Sequence, residues 1–339
     1  MYGATAMAWS TALGFNDPLS YRAEFSTADL EVLPTVGGQF RAEMIKVRLD
    51  RLWMDRFYRN LPSVVAGAMK PGRRVFAFIT SAEPAALRHC GMDVVSGDII
   101  VNSFDEIHQQ TGANFRLGSM SLTPQSLDAA CKAITGCEFS GSPLKHLVRP
   151  NAAVMSRLLK LHETVGQIAT TMPEVLDVPE AARSLEQQLI HILVRCLIEN
   201  VPTQMTRGGR RHDMIVAKFE EYLEAHPNTP LYLPEICAAI GAAERTLRAA
   251  CEENLGMGPI RFLALRRMHL VRRALLQADD ASSTVTRVAT DHGFWELGRF
   301  SVAYRAFFGE MPSVTLHRRP DDRVKIADRP TSLANSETV

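Results

Sequence analysis

The chain has 339 residues, with 38 Lys and Arg against 37 Asp and Glu, a formal net charge of +1. At 46% hydrophobic and 22% charged it has the composition of a soluble globular chain longer than one typical domain. No apolar run approaches a membrane span and the start, MYGATAMAWSTALGF, lacks the basic head and apolar core of a secretory signal, so a cytoplasmic chain with no membrane partner is expected.

Six cysteines (Cys90, Cys131, Cys137, Cys196, Cys237, Cys251) include no C-x-x-C pair, and most sit in apolar segments where Cys acts as a small hydrophobe. Neither a disulfide nor a metal site is expected, and no cofactor; Cys131 with Cys137 as a redox-sensing pair is the alternative.

Residues 1–26 are read as an N-terminal arm. From about Thr27 to Phe115 the chain consists of short extended runs, among them GGQFRAEMIKVRL, RRVFAFIT and DVVSGDIIVNSF, broken by turn pairs such as Pro71-Gly72 and Gly97-Asp98. This pattern predicts an antiparallel barrel or sandwich spanning 27–150. A strand ends near Leu122, and a helix follows with Thr123 as N-cap, Pro124 at its first position and Gly136 at its end.

If that domain encloses a small effector, Trp53, Phe57, Phe76, Phe78, Phe104 and Phe115 are the aromatics available to line the pocket, although they suit plain core equally well. Alternation places Phe76 and Phe78 on one face and Val75, Ala77 and Ile79 on the other, leaving open which is enclosed. His89, His108 and His146 lie too far apart, and outside any H-x-H frame, to nominate a metal site; they are read as surface or satisfied histidines. No G-x-S-x-G, P-loop or convincing carboxylate pair is present, so the chain is not expected to be an enzyme.

Two helices are expected over 151–172 and 179–200, capped by Asn151 and opened by Pro179, as an antiparallel pair within a 151–205 helical region. Leu185, Leu189, Ile192, Leu193, Cys196 and Ile198 form a stripe broader than one partner helix need cover. It is assigned to a homodimer interface, with burial against its own domain as the alternative. TRGGRRHD, with Gly208 and Gly209, is the expected flexible linker before a domain spanning 206–319.

In that last domain, VATDHGFWELGRFSVAYRAFFG (288–309) reads as a helix-turn-helix. Gly293 takes the left-handed position after the first helix, and Phe300, Tyr304 and Phe308 recur at four-residue spacing on the second. Upstream, LYLPEICAAIGAAERTLRAACEENLG (231–256) repeats the pattern: Pro234 opens a short helix, Gly241 turns it, and a second helix buries Leu247 and Cys251. Between them runs GPIRFLALRRMHLVRRALLQADD, a helix expected to turn Ile260, Leu263, Leu270 and Ala274 inward and leave Arg266, Arg267, Arg272 and Arg273 solvated.

This order of parts resembles the AraC/XylS family of transcription regulators over about residues 212–317, most specifically in the second motif, its FFGEMPSVTLHRR ending, and the RTL…NLGMGPIRFLALRRM run. The resemblance implies two recognition helices reaching successive major-groove segments of double-stranded DNA, about one helical turn or ~34 Å apart. By position, Arg245, Thr246 and Arg248 are the first motif's reading residues. Those of the second are Glu296, Leu297, Arg299, Ser301 and Val302, with Arg305 and the connecting-helix arginines on phosphates. It further implies a cupin-like sensor domain that binds a small-molecule effector, dimerisation through the intervening helices, and activation through RNA polymerase. The overall class is therefore an α+β multidomain chain: an N-terminal β barrel or sandwich, a helical linker region and an all-α domain with two helix-turn-helix motifs.

The first motif departs from the family pattern. Ala242 and Ala243 stand where a larger apolar residue and a Ser-like N-cap are usual, Cys251 replaces a Phe, and Ala249 replaces a base-reading Arg of some members. The second motif is therefore expected to carry more of the sequence reading. From His212 to Arg319 there are thirteen basic and thirteen acidic residues, but from Ile240 onward twelve and eight, so local distribution sets the field. The alternatives are a ligand-independent architectural DNA binder and an enzyme fused to a DNA-binding domain. The latter type, in related alkylation-repair proteins, needs a Pro-Cys-His-Arg context that no Cys here has. The polar tail 320–339 is expected to be disordered.

Overall fold

The extended runs form two antiparallel sheets packed face to face. The computed structural model describes residues 8–317, except 82–85, 103–105, 137–146, 199, 203–206, 227–230 and 279–282, together with residues 324–325.

In chain order the strands are β1 (Trp9–Phe15), β2 (Ala28–Pro34), β3 (Ala42–Arg48), β4 (Trp53–Arg59), β5 (Ser63–Met69), β6 (Arg74–Ile79), β7 (Leu87–His89), β8 (Met92–Val94), β9 (Ile99–Asn102), β10 (Glu106–Thr111), β11 (Phe115–Leu122), β12 (Leu147–Pro150), β13 (Asn200–Pro202) and β14 (Val324–Lys325). One sheet runs β13-β12-β9-β6-β11-β4-β3-β1-β14 and the other β2-β5-β10-β7-β8. The sheets do not close into a barrel; the sandwich is the form realised.

The central strand β6 of the nine-stranded sheet is apolar on both faces because both are covered. One face packs under α2 (Pro124–Thr135), α3 (Ala152–Thr171) and α4 (Pro179–Ile198), in a core containing Met54, Phe76, Phe78, Met120, Leu158 and Leu193. The other face meets the five-stranded sheet through residues such as Met44, Val65, Ala77, Ile107 and Phe115. Thr123 caps α2 by accepting from Ser126 N–H, and Gly136 ends it; Asn151 caps α3 by accepting from Ala153 N–H.

The C-terminal helices are α5 (Arg207–Ala225), α6 (Leu233–Ile240), α7 (Glu244–Leu255), α8 (Pro259–Gln277), α9 (Val285–Asp291), α10 (Leu297–Phe308) and α11 (Pro312–Leu316); α1 (Pro18–Arg22) lies back in the β domain. Helices α5 to α7 and the start of α8 share a core that takes in Leu33 of β2 and Val64 of β5. The molecule is thus layered: α2–α4, nine-stranded sheet, five-stranded sheet, helical domain.

Several expectations change. Residues 9–15 of the supposed arm are β1, paired along its whole length with β3. The supposed linker glycines, Gly208 and Gly209, lie inside α5. In α4, Leu189, Ile192 and Cys196 are buried in the chain's own core, and Leu185 packs against it. The stripe is broad because the sheet and two neighbouring helices cover these residues together, while Ile198 is exposed. Within the tail expected to be disordered, Val324 and Lys325 pair with Gly14 and Leu13 of β1; the rest of 320–339 lies outside the described residues.

Candidate nucleic-acid interface

Each motif is a helix pair hinged on a glycine in the left-handed region, Gly241 at φ 65° and Gly293 at φ 79°, a conformation that costs a Cβ-bearing residue about 1–2 kcal/mol. In the first motif α7 buries Leu247, Ala250, Cys251 and Leu255 and turns Glu244, Arg245, Arg248 and Ala249 outward; Thr246 is half-buried. Its N-cap residue, Ala243, gives no side-chain cap, so only Glu244 complements the positive end of the helix dipole. Burial pushes the Cys251 thiol up to about 12, which leaves it a neutral packing group.

In the second motif α10 buries Phe300 and Tyr304, with Phe308 half-buried. Phe294, just before the helix, packs on Phe300 at 4.8 Å between ring centroids. Glu296, Arg299, Val302 and Arg305 are exposed, Arg299 with 84% of its side chain open and Val302 72% exposed. Leu297 instead packs on the motif's core; Ser301, half-buried, donates its hydroxyl to the Leu297 carbonyl and lies beside the exposed Val302 and Arg305. Trp295, 74% exposed in the turn itself, is the residue the sequence reading missed. The signal was the Phe294-Trp295 pair: only one of two adjacent aromatics can face the core.

The two arginine positions share a device. Arg248 pairs with Glu244 at 2.9 Å one turn earlier, and Arg299 with Glu296 at 2.8 Å. Such exposed pairs are weak and screened by salt, so either arginine exchanges its carboxylate for a guanine edge at little cost.

Helix α8 differs from expectation in a way that matters for the interface. Ile260 is 61% exposed, whereas Arg266 and Arg272 are buried. Arg266 donates to the Leu223 carbonyl, closing off the end of α5. Arg272 donates to Asp17 at 3.3 Å and to Glu310 at 2.8 Å, and Arg273 to Glu31 at 2.9 Å. Arg272 and Arg273 therefore tie the helical domain to the β domain and are not available to phosphates.

The same seam carries other contacts. His269 Nε2–H donates to the Pro34 carbonyl at 3.3 Å, and Gly38 N–H to the Phe307 carbonyl at 2.9 Å. His108 of β10 and Glu220 of α5 lie 2.5 Å apart, both buried, and Gln110 of β10 donates to the Glu253 carbonyl at 3.3 Å. Burial lowers His269 to about 4, so it is neutral. A cavity of about 390 Å³ opens along the seam, between Phe40, Arg41 and Leu61 on one side and His269, Arg272, Phe307 and Phe308 on the other.

The aromatics offered as a pocket lining do not come together. Phe76 and Phe78 lie under the helical layer, Phe78 against His162 of α3 at 5.0 Å. Their face of β6 is the one helices cover, so they are core. Trp53 sits between the guanidinium groups of Arg48 and Arg73, at 5.0 and 4.1 Å. Phe57 and Phe115 do pack between the sheets, while Phe104 lies outside the described residues. Sequence reading passed over the charged residues that share this interior: Lys46 bonded to Glu24, Arg48 to Asp55, and Arg59 to Thr111. Burial raises the Asp55 carboxyl against the opposing pull of Arg48.

Among the described residues no cluster of His, Cys, Asp or Glu suits a metal, and no helix is long and apolar enough to cross a membrane. His89 meets Gln109 at 3.2 Å; Cys237 and Cys251 are free thiols, while Cys137 and His146 lie outside the described residues.

Two glycine-hinged helix pairs, bridged by one long helix and each presenting exposed arginine, make the C-terminal region a double helix-turn-helix DNA-binding domain. Residues 236–318 match a family model described as a helix-turn-helix domain. A protein described as a probable thc operon regulatory protein, from Rhodococcus erythropolis, is 39% identical over 106 residues, covering 31% of this chain and 32% of that one. XylDLEGF operon transcriptional activator 2 of Pseudomonas putida is 28% identical over 126 residues, 37% of this chain and 80% of its own. The solved structure of the AraC-like transcriptional activator CuxR aligns with 84% of this chain and 99% of its own, at 14% identity and a TM-score of 0.39. Through this C-terminal domain the chain is a member of the AraC/XylS family of transcription regulators. The chain spans about a third of the length of the Rhodococcus relative.

Proposed function

We propose that this chain is a sequence-specific, effector-responsive transcription activator, not an enzyme, that reads two adjacent major-groove segments through α7 and α10. The observation that carries this reading is the exposure of Arg245 and Arg248 on one recognition helix and of Arg299 and Val302 on the other, with α8 bridging the two. Arginine forks match guanine O6 and N7, and Val302 suits a thymine methyl. Responsiveness to a small molecule is supported by a sandwich interior that holds charged groups where plain core would be apolar. Activation follows through contact with RNA polymerase in the cytoplasm, by a homodimer.

Selection of bound sequences from a random duplex pool by the full chain tests the reading. Enrichment of a site with two elements centred about 10–10.5 base pairs apart is the expected result. Binding that shows no sequence preference at moderate salt overturns it, and favours an architectural role.

A further inference from the structure

One glycine of the second reading helix answers no need inside the protein. Gly298, the second residue of α10, is exposed and helical, outside the left-handed region that Gly293 and Gly309 occupy before and after this helix at φ 79° and 76°. A Cβ at Gly298 would meet no atom within 4 Å. Gly166 of α3, another helical glycine, is the contrast, because a Cβ there would run into the Arg56 side chain. At Gly166 the missing methyl makes room for a neighbour; at Gly298 it makes room only on the outside. Glycine is a poorer helix residue than alanine because the unfolded chain has more freedom to lose, so this position gives up stability that no contact within the protein returns.

The surroundings say what the outside room is for. Helical spacing puts Gly298, Val302 and Arg305 on one outward face, at i, i+4 and i+7, turned away from the core that Phe300 and Tyr304 enter. Val302 is 72% exposed, and so, at 74%, is Trp295 three positions before the glycine. Gly298 is thus a gap of one side chain among exposed apolar groups, with the cations Arg299 and Arg305 beside it.

We propose that Gly298 is a specificity-determining residue: the recess left by its missing side chain receives the 5-methyl group of one thymine in the major groove. The inference rests on α10 being a DNA-reading helix. The other major-groove groups that distinguish bases are hydrogen-bond donors or acceptors, and neither the Gly298 Cα nor the Val302 side chain offers them a partner. The thymine methyl is the apolar projection, and it fits a bare Cα with Val302 one turn along. Alanine at position 298 would set its own methyl group where the thymine's lies. With the methyl seated, Arg299 reaches a neighbouring guanine with its fork and Arg305 a phosphate, so the recess sets both the depth and the register of the helix in the groove.

The test compares the full chain with its Gly298→Ala and Gly298→Ser variants on the duplex that the wild-type chain selects from a random pool. Copies of that duplex carry deoxyuridine, which lacks only the methyl group, in place of each thymine in turn. Gly298→Ala should unfold at or above the wild-type temperature, because alanine is the better helix former, yet bind the selected duplex about tenfold or more weakly. Gly298→Ser, which also fills the recess, should lose affinity as well. At one thymine, deoxyuridine should return most of the loss to Gly298→Ala while weakening the wild-type chain about fourfold, the worth of one buried methyl group. At the other thymines it should affect both proteins alike. The proposal is overturned by Gly298→Ala binding the selected duplex as tightly as wild type, or by a loss that no single deoxyuridine relieves. A Gly298→Ala midpoint several degrees below wild type also overturns it, since the glycine would then serve the fold. A wild-type chain that selects no sequence sinks the DNA-reading proposal and the recess with it; one that selects a site while any of those results holds sinks the recess alone.

Discussion

Arg272 of α8 donates to the carboxylate of Asp17, 255 positions earlier in the chain, at 3.3 Å, and Asp17 is at the same time the N-cap of α1, accepting from Leu19 and Ser20 N–H. The other side of the same guanidinium bonds Glu310, which accepts from Thr315, which in turn accepts from the Tyr304 hydroxyl of α10. One unbroken chain of hydrogen bonds therefore runs from the β domain to the core of the second recognition helix. Burial pushes the Tyr304 phenol up to about 12, so it remains a donor.

Arg272→Ala should be among the more destabilising single changes in the protein. It strands two carboxylates that are each 16% exposed, and removing one partner of a buried ionic set costs about 3–5 kcal/mol. Denaturant unfolding of the full chain measures it. A second change, Asp17→Asn in the Arg272→Ala background, should cost much less than it does alone, since the charge it removes is already unpaired.

Gly37 sets how closely the loop after β2 approaches α10. A Cβ there would lie 2.5 Å from the Ala306 carbonyl oxygen and 3.0 Å from Phe307 Cα, backbone atoms that cannot rotate aside. Gly37→Ala should therefore break the neighbouring bond from Gly38 N–H to the Phe307 carbonyl and open this part of the seam while each half keeps its own core. Amide exchange should speed up at Gly38 and leave β4 and β11 protected. Equal exchange in variant and wild type would show the loop absorbing the methyl group.

Stability should fall in mild acid, with a sign that the histidines fix. His162 and His269 are lowered to about 3 and about 4, both mainly by burial, from an ordinary 6.5. Their contribution is fully present above pH 6.5, where neither state binds a proton. Below it the unfolded chain takes up protons that the folded chain refuses, so stability is lost as pH drops from 6.5 toward 4, by up to about 2.7 kcal/mol per pH unit for two groups. His269→Gln keeps a donor for the Pro34 carbonyl and should remove about half of that slope in urea titrations between pH 6.5 and 4.5.

How far all this could be read beforehand depends on what each residue advertises. The helix-turn-helix pairs were legible because Gly241 and Gly293 have one cheap use after a short helix, and Phe300 and Tyr304 announce a buried face by spacing. The caps of α2 and α3 were legible for the same local reason. Strand β6 was not, since Phe76 and Ala77 are both buried and alternation cannot rank two covered faces. The arginines of α8 misled because their exposure depends on Asp17 and Glu31, partners in another domain that no local pattern reveals.

The division of labour on α10 gives the last prediction. Arg299 and Val302 stand outermost, with Trp295 exposed in the turn before them and Arg305 farther along the helix. Arg299→Ala should cost about 1–3 kcal/mol at sites carrying its preferred base and little elsewhere, relaxing selectivity at one position. Arg305→Ala should weaken all sites alike and reduce the salt slope by about one unit, as loss of a phosphate contact does. Trp295→Ala should leave unfolding within about 0.5 kcal/mol of wild type, because an exposed ring contributes little to folding, yet weaken binding to DNA. Competition binding on a panel of single-base variants, repeated at two salt concentrations, separates the three. If all three variants lose affinity in the same proportion at every site and salt, α10 is held by the backbone alone, and base reading must pass to Arg245 and Arg248 on α7.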